Sequence, residues 1–196
     1  MMHSVSYHVD GGMMASRPVL LARLLMVPLL ALILLAWGLW QLLLWPLRAL
    51  LLFLRHERDT GTWEHIRQAV EFCSNHTAFL LMLSDRWPSG AVRVRLSYTP
   101  LVSRLEILIR PLLGLLLLLN AAVVGALLLP VWFLQVAHIL LKGRRQPVLQ
   151  RLLLNYLGFL IDARAYLLMG VEERPPLFPA NMGWFLKSWK WLPSRR

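Results

Sequence analysis

The sequence predicts an all-α integral membrane protein of two tandem repeats. Each repeat is a long kinked transmembrane helix or hairpin followed by an amphipathic, interfacial helix. Three observations lead to this fold class: an apolar composition, two long Leu-rich stretches, and a short motif that occurs twice. Hydrophobic residues make up 58% of the 196 positions and charged residues only 16%, whereas soluble domains have about 45–50% and about 25%. Lipid is therefore the predicted main solvent.

A short motif and the stretch before it occur twice. Residues 78–88 read AFLLMLSDRWP and residues 165–175 read AYLLMGVEERP. A Leu-rich stretch with two prolines precedes each copy, at 19–54 and 107–141. Recurrence at a fixed period indicates a duplicated structural unit. We therefore divide the chain into a leader (1–16), two membrane repeats (17–90 and 91–179) and a basic, aromatic tail (180–196).

The two Leu-rich stretches each contain a segment that could cross a bilayer. Residues 24–45 and 112–133 carry no charge, and about 20 helical residues cross the hydrocarbon layer. The apolar sequence continues past Pro46 and Pro130. One tilted long helix, a kinked extension in the interface or a shallow re-entrant hairpin would each accommodate that surplus. Arg48 favours the interfacial extension, because a cation is more stable at headgroup depth.

The remaining segments predict two shorter helices and a small sheet. Residues 62–84 have an apolar and a polar face, which is typical of a helix that lies on a membrane or packs on a partner. Residues 152–170 are more apolar and could cross, although an interfacial position is favoured. Residues 92–98 alternate apolar and polar side chains as a half-exposed strand does. They could pair with residues 5–9 as a ribbon, or both runs could be unrelated extended linkers.

The charge distribution predicts membrane lipids as partners. The net charge is +11, and the basic residues flank apolar segments, as Arg17 and Lys142 do. Anionic headgroups select this pattern, so we expect no nucleic acid. Because every connecting segment is basic, the positive-inside rule favours an even number of crossings per repeat, or shallow hairpins. The chain is thus predicted to be multi-pass or re-entrant.

The C-terminal tail is predicted to anchor the chain at the membrane surface. Indole rings and ammonium groups both favour the headgroup region. The residues expected to act in this way are Trp184, Lys187, Trp189, Lys190 and Trp191.

From Val92 to Pro179 the order of short motifs resembles a known family. The motifs are VRVRLSYTP, an Arg104 that enters the apolar stretch, the turn LLKGRRQP, and ARAYLLMGVEERPPLFP. The chain resembles an uncharacterised family of small bacterial membrane proteins, the domain of unknown function numbered four-three-eight-nine. Residues before Val92 resemble a divergent second copy. The resemblance implies a bacterial inner-membrane protein and carries no catalytic residues with it.

The sequence offers no gathered set of catalytic or ligand side chains. None of the six His lies at a helical spacing that would give a metal-ligand pair. There is no Gly-rich phosphate loop and no nucleophile elbow. The single cysteine, Cys73, excludes an internal disulfide. We therefore expect no enzyme activity, metal or cofactor.

Asp162 and Arg164 are the candidate polar contacts within the membrane. They lie in apolar surroundings, where ionisable groups are functional candidates. Two residues apart on a helix, they diverge and need partners elsewhere. Alternatively, Arg164 extends to the headgroups and Asp162 faces water from an interfacial helix.

Three functional hypotheses follow. The first is a non-catalytic accessory or scaffold subunit that packs with other membrane proteins or with copies of itself. The second is a lipid-handling protein, in which small residues of the second core allow close helix approach or a groove. Those residues are Gly114, Ala121, Ala122, Gly125 and Ala126. The third is ion or proton translocation through Asp162 and Arg164.

Overall fold

The computed structural model describes residues 5–10, 12, 14–86, 90–177 and 179. These residues are mostly helical and contain one small sheet. The elements in chain order are strand β1 (Val5–Val9), helices α1 (Arg17–Arg55) and α2 (Thr60–Leu80), strand β2 (Val92–Leu96), and helices α3 (Arg104–Lys142) and α4 (Pro147–Leu167). Residues 1–16, predicted as a leader, thus contain the first strand.

Helices α1 and α3 are long and apolar enough to span a membrane. Each has 39 residues, or about 58 Å at 1.5 Å per residue. Both run through their internal prolines, so the apolar sequence beyond Pro46 and Pro130 belongs to the same helix as the core before it. Of the three predicted alternatives, the structure has the single long helix. The helices end at His56 and Gly143, which both adopt the left-handed conformation.

The two long helices lie side by side and antiparallel. Leu20, near the start of α1, packs against Val136 and Ile139 near the end of α3. At the other end, Leu52 of α1 packs in one cluster with Ile107 of α3. The beginning of each helix therefore contacts the end of the other.

The shorter helices form a second layer on the long ones. Helix α2 packs on α1, α4 packs on α3, and α2 and α4 pack on each other. Their core side chains are fully buried, as Ile66 and Val70 of α2 and Leu153 and Leu157 of α4 illustrate. Both helices begin and end a few residues earlier than the predicted segments 62–84 and 152–170.

The strands form the predicted ribbon, which packs on α2 and α4 as a third layer. β1 and β2 pair antiparallel, with Tyr7 opposite Val94. Alternate residues of β2 are buried, while Arg93 and Arg95 are exposed. Asn75 of α2 fixes β2, because its amide accepts from Val92 N at 2.8 Å and donates to Val92 O at 3.0 Å.

The order strand, long helix, short helix occurs twice at a constant interval. The second set begins at Val92, Arg104 and Pro147, the first at Val5, Arg17 and Thr60, which is an interval of 87 residues. The corresponding elements have equal lengths of 5, 39 and 21 residues. The prolines do not follow this interval, since Leu115 and Phe133 occupy the positions that correspond to Pro28 and Pro46.

Candidate functional site

One end of the protein contains a buried ion cluster centred on Asp85. Arg23 of α1 lies 3.5 Å from its carboxylate, and Arg145, from the loop before α4, also pairs with it. Both arginine side chains are 1% exposed. Each arginine also donates to a backbone carbonyl, Arg23 to Ser84 O at 2.6 Å and Arg145 to Met82 O at 2.7 Å.

The opposite end contains the corresponding cluster, centred on Glu172. Arg110 of α3 lies 3.0 Å from its carboxylate and Arg58, from the loop before α2, lies 3.1 Å away. Arg110 donates to Val171 O at 2.9 Å, as Arg23 donates to Ser84 O. The Arg110 guanidinium also lies over the ring of Tyr166.

Each cluster contains residues of both halves of the chain. Arg145 belongs to the second half and pairs with Asp85 of the first, whereas Arg58 belongs to the first half and pairs with Glu172 of the second. Burial lowers the pKa of Arg58 and of Arg145, and the neighbouring carboxylates act in the opposite direction. The clusters hold the loops of one half on the other half, which is a structural role.

Asp85 and Glu172 are the acids of the repeated motif, whereas sequence analysis did not identify their arginine partners. The signal was present, because Arg23 and Arg58 recur as Arg110 and Arg145 at the interval of the motif itself. Arginines at equivalent positions of two apolar units, together with a repeated acid, predict buried ion pairs between the units.

Asp162 lies on the ribbon side of α4. It lines a cavity of about 650 Å³ together with residues of β1, including Ser6 and Tyr7. Burial, and then the charge of Asp162, raise the pKa of Tyr7. Its counterpart at the 87-residue interval is Asn75, which fixes β2 on α2. Asp162 therefore lies where α4 meets β1, and this place corresponds to the contact of Asn75 between α2 and β2.

Arg164 lies on the opposite side of α4, facing α1 and α2. It lines a second cavity, of about 610 Å³, together with Cys73 and residues of α1 and α3. Its Nη1 atom is buried and has no hydrogen-bond partner among the described residues. Burial lowers the pKa of Arg164, and the groups that oppose this shift are Cys73 and Tyr156. Burial also raises the pKa of the Cys73 thiol. Asp162 and Arg164 thus line separate cavities.

The cavity at Arg164 collects further unpaired donors. Trp37, Gln41 and Arg110 also line it, and their Nε1, Nε2 and Nε atoms are each buried without a hydrogen-bond partner in the described part of the chain. Gln41 Oε1 already accepts from Arg48 at 2.8 Å, so the unpaired group of this amide is its Nε2 donor. The other lining side chains are mostly leucines, and exposed ones such as Leu42 and Leu115 border its mouth.

This cavity breaks the correspondence between the halves. At the 87-residue interval Trp37 corresponds to Val124, Gln41 to Leu128 and Arg164 to Thr77. Of the four unpaired donors, only Arg110 has a like residue in the other half, Arg23. Residues of both halves therefore form this polar lining, but the corresponding positions of the opposite halves do not repeat it, in contrast to the ion clusters.

The small residues of α3 mainly allow close helix packing. A Cβ added to Gly114 would lie 2.5 Å from Leu167, and one added to Gly125 would lie 2.7 Å from Tyr156. The Tyr156 hydroxyl donates to Ala121 O at 2.9 Å. Side chains of α4 thus occupy most of the predicted groove, and only Gly114 borders the open cavity.

The predicted interfacial anchors, Trp184, Lys187, Trp189, Lys190 and Trp191, lie outside the described residues. Within the described residues there is no group of three His, Cys, Asp or Glu that could hold a metal ion.

Comparison with known proteins identifies the second half of the chain. No curated protein and no solved structure matches the sequence. Residues 104–179 match the model of a family described as "Domain of unknown function (DUF4389)". The match covers α3, α4 and the loop that carries Glu172, and it confirms the resemblance predicted from the motifs. Residues 104–179 of this chain are therefore similar to the domain of unknown function DUF4389.

Proposed function

We propose that this protein is a non-catalytic, lipid-binding membrane protein that lies in one leaflet of the bacterial inner membrane. The apolar surface of α1 and α3 supports membrane insertion. The most apolar windows of these helices have mean hydropathies of 2.7 and 2.6 and are only 17% buried by the rest of the chain. A core helix of a soluble protein of this hydropathy would bury most of such a window, because exposed leucine is unfavourable in water.

The constant interval between the halves supports a duplication. Helices and strands, the residues of the two ion clusters, and two indole hydrogen bonds each recur after 87 residues. In the latter, Trp45 donates to Leu167 O and Trp132 donates to Leu80 O. In the ribbon, Tyr7 faces Val94, its own counterpart. We infer a pseudo-twofold axis that passes through this pair and between the midpoints of α1 and α3. Because it relates antiparallel helices, this axis is perpendicular to them.

This symmetry favours helices that lie in the plane of the membrane. If α1 and α3 crossed the bilayer along its normal, the ribbon on the axis would lie near the bilayer centre. The exposed Arg93 and Arg95 would then face lipid tails, at a cost of about 2.5–3.5 kcal/mol each on insertion scales. With the axis along the membrane normal, the outer face of α1 and α3 contacts acyl chains and the ribbon contacts water. In this orientation the pair α1 and α2 forms one shallow hairpin in the membrane, and the pair α3 and α4 forms the other.

The cavity lined by Arg164 carries the proposal of lipid binding. It opens among leucines that would contact acyl chains in this orientation. Its volume of about 610 Å³ falls within the range of about 300–1,000 Å³ that is usual for sites of small molecules. Four of its lining residues have a buried, unpaired N–H group, although buried donors usually have a partner.

Native mass spectrometry of the full chain tests this proposal. The protein purified in mild detergent should retain a lipid in stoichiometric amount. Gly38→Phe should abolish retention, because Gly38 lines the cavity and a Cβ there would meet nothing within 4 Å. Leu39→Phe is the matched control, since Leu39 is exposed and is not a lining residue of the cavity. A wild-type chain that carries no lipid would contradict the proposal.

The scaffold role is the second candidate, and the ribbon supports it. The sheet has two strands, so each strand has one edge without a partner strand among the described residues, and such edges accept strands of other proteins. Stoichiometric co-purification of another membrane protein, lost on Val94→Pro, would support this role. Ion translocation through Asp162 and Arg164 stays a prediction, and unchanged flux after Asp162→Asn would contradict it.

A further inference from the structure

We propose that the cavity between α1, α3 and α4 binds an anionic amphiphile, a molecule with an oxyanion headgroup and an acyl chain, and that Arg164 binds the headgroup. This inference rests on the proposed lipid-binding function and specifies the class of lipid.

The hydrogen-bonding character of the cavity favours an oxyanion. The four unpaired groups are Trp37 Nε1, Gln41 Nε2, Arg110 Nε and Arg164 Nη1. All four are donors, and guanidinium and indole groups have no acceptor to offer. A hydroxyl or amide headgroup would bring donors that compete with these groups. A carboxylate or a phosphate brings acceptors only, so it suits the site best.

The charge of the cavity favours a net negative headgroup. Glu172 neutralises part of the charge of Arg110 and Arg58. For Arg164, the groups that act on its guanidinium are Cys73 and Tyr156, which are neutral acids at pH 7. An isolated buried cation is costly unless it is paired. A bound oxyanion would supply the missing counter-charge.

The rest of the lining favours an acyl chain attached to that headgroup. Leu34 and Leu168 belong to the inner lining, whereas Leu42, Leu115 and Leu118 are exposed residues at the mouth. A chain that leaves the polar end of the cavity would pass between α1 and α3 towards the membrane. Free phosphate would leave these apolar walls without a contact.

The occurrence of this polar set once, and not at both corresponding places of the fold, supports a role in recognition. A feature needed only for folding would recur at the 87-residue interval, as Arg23 and Arg110 do. The three other donors have no like residue at the corresponding positions, since Trp37 corresponds to Val124, Gln41 to Leu128 and Arg164 to Thr77. This divergence has produced one polar cavity in a fold that is otherwise alike in both halves.

Cys73 provides the readout, because it is the single cysteine and lines the cavity. The full chain in phosphatidylcholine nanodiscs is treated with a membrane-permeant maleimide at pH 8, alone or with an added probe. The probes are a long-chain fatty acid, phosphatidylglycerol, the fatty alcohol of equal chain length, and inorganic phosphate. We expect one of the two anionic lipids to slow labelling of Cys73 at least tenfold. Protection by the fatty acid would identify a carboxylate headgroup, and protection by phosphatidylglycerol would identify a phosphate headgroup.

The variant Arg164→Gln tests the headgroup contact. Loss of a charge-assisted hydrogen bond should weaken protection by the anionic probe about 10- to 100-fold. The anionic probe should also raise the unfolding temperature of the wild type and of Arg95→Gln, an exposed arginine of the ribbon, but not that of Arg164→Gln. If Arg164→Gln does not fold, Gly38→Phe serves instead and should remove protection by every probe.

The outcomes separate the two proposals. Equal protection by the fatty alcohol would overturn the preference for an anionic headgroup but would leave the proposal of lipid binding intact. Full protection by inorganic phosphate alone would overturn the proposal that the ligand is an amphiphile. Full protection of Arg164→Gln by the anionic probe would overturn the role of Arg164. Absence of protection by any probe, together with a lipid-free native mass spectrum, would overturn both proposals.

Discussion

Arg145 pairs with Asp85 across 60 residues of sequence, and this contact joins the two halves of the chain. Arg58 and Glu172 form the corresponding contact in the opposite direction. The loops before α2 and α4 are thus exchanged between the halves. Neither half buries its own acid with its own arginines alone, so the two halves depend on each other for folding.

Removal of one cluster acid should therefore destabilise the whole protein. Asp85→Asn leaves Arg23 and Arg145 buried at 1% side-chain exposure without a counter-charge, which costs about 3–5 kcal/mol. Chemical unfolding in detergent micelles measures this loss. Asp10→Asn is the control, because Asp10 pairs with Arg86 at the surface and such pairs contribute at most about 1 kcal/mol. Equal effects of the two substitutions would contradict the role of the cluster.

The two indole contacts should contribute equally. Trp45 Nε1 donates to Leu167 O at 3.1 Å and Trp132 Nε1 donates to Leu80 O at 2.8 Å. Each indole satisfies a carbonyl at the end of a short helix of the opposite half. Trp45→Phe and Trp132→Phe should each lower the free energy of unfolding by about 1–3 kcal/mol. A loss confined to one of the two variants would show that the halves are not equivalent there.

Asn75 should hold the ribbon on α2. The amide is 4% exposed and satisfies both backbone groups of Val92. Asn75→Leu keeps the volume but leaves these two groups unpaired, at about 1–3 kcal/mol. Hydrogen exchange at residues 92–96 should accelerate while exchange in α3 stays slow. The exposed Gln68→Leu on the same helix is the control and should leave exchange in β2 unchanged.

Tyr166 should ionise at unusually high pH. Burial and a hydrogen bond of 2.5 Å to Glu106 raise the pKa of Tyr166 to about 12, compared with about 10 in an unfolded chain. Because the folded-state pKa is raised, the stability that this group contributes is complete below about pH 10 and is lost as the pH rises to about 12. A phenolate absorbance titration should lose its component near pH 12 in Tyr166→Phe. An unaltered titration curve would contradict the assignment.

The two long apolar helices and the mostly helical fold could be predicted because they depend on local composition. Runs such as 24–45 and 112–133 need no tertiary information to indicate a long apolar helix, and the alternation in 92–98 indicates a strand. The length of α1 beyond Pro46 could not be predicted in the same way. A proline interior to a helix breaks or merely bends it according to its packing.

The candidate site depends on tertiary contacts that periodicity does not reveal. Asp162 and Arg164 were equal candidates by sequence because both lie in apolar surroundings. Asp162 lines a cavity beside the ribbon, whereas Arg164 lines the cavity between α1, α3 and α4. Trp37 and Gln41 were missed, because a single polar residue in a Leu-rich helix does not indicate which neighbours lie opposite it. Trp37 and Gln41 also lie outside residues 104–179, the range that the family model matches, so the match does not indicate them either.

The depth of α1 in a bilayer tests the central claim most directly. Leu25, Leu39 and Leu50 are exposed along the outer face of this helix, and about 37 Å separates the first from the last at 1.5 Å per residue. Each is replaced by cysteine in a Cys73→Ala background and carries a spin label, with a label at Arg95 as the water-exposed reference. If the helix lies in one leaflet, all three labels have the same depth below the headgroups. A label at Leu39 near the bilayer centre, with those at Leu25 and Leu50 near opposite surfaces, would contradict the account.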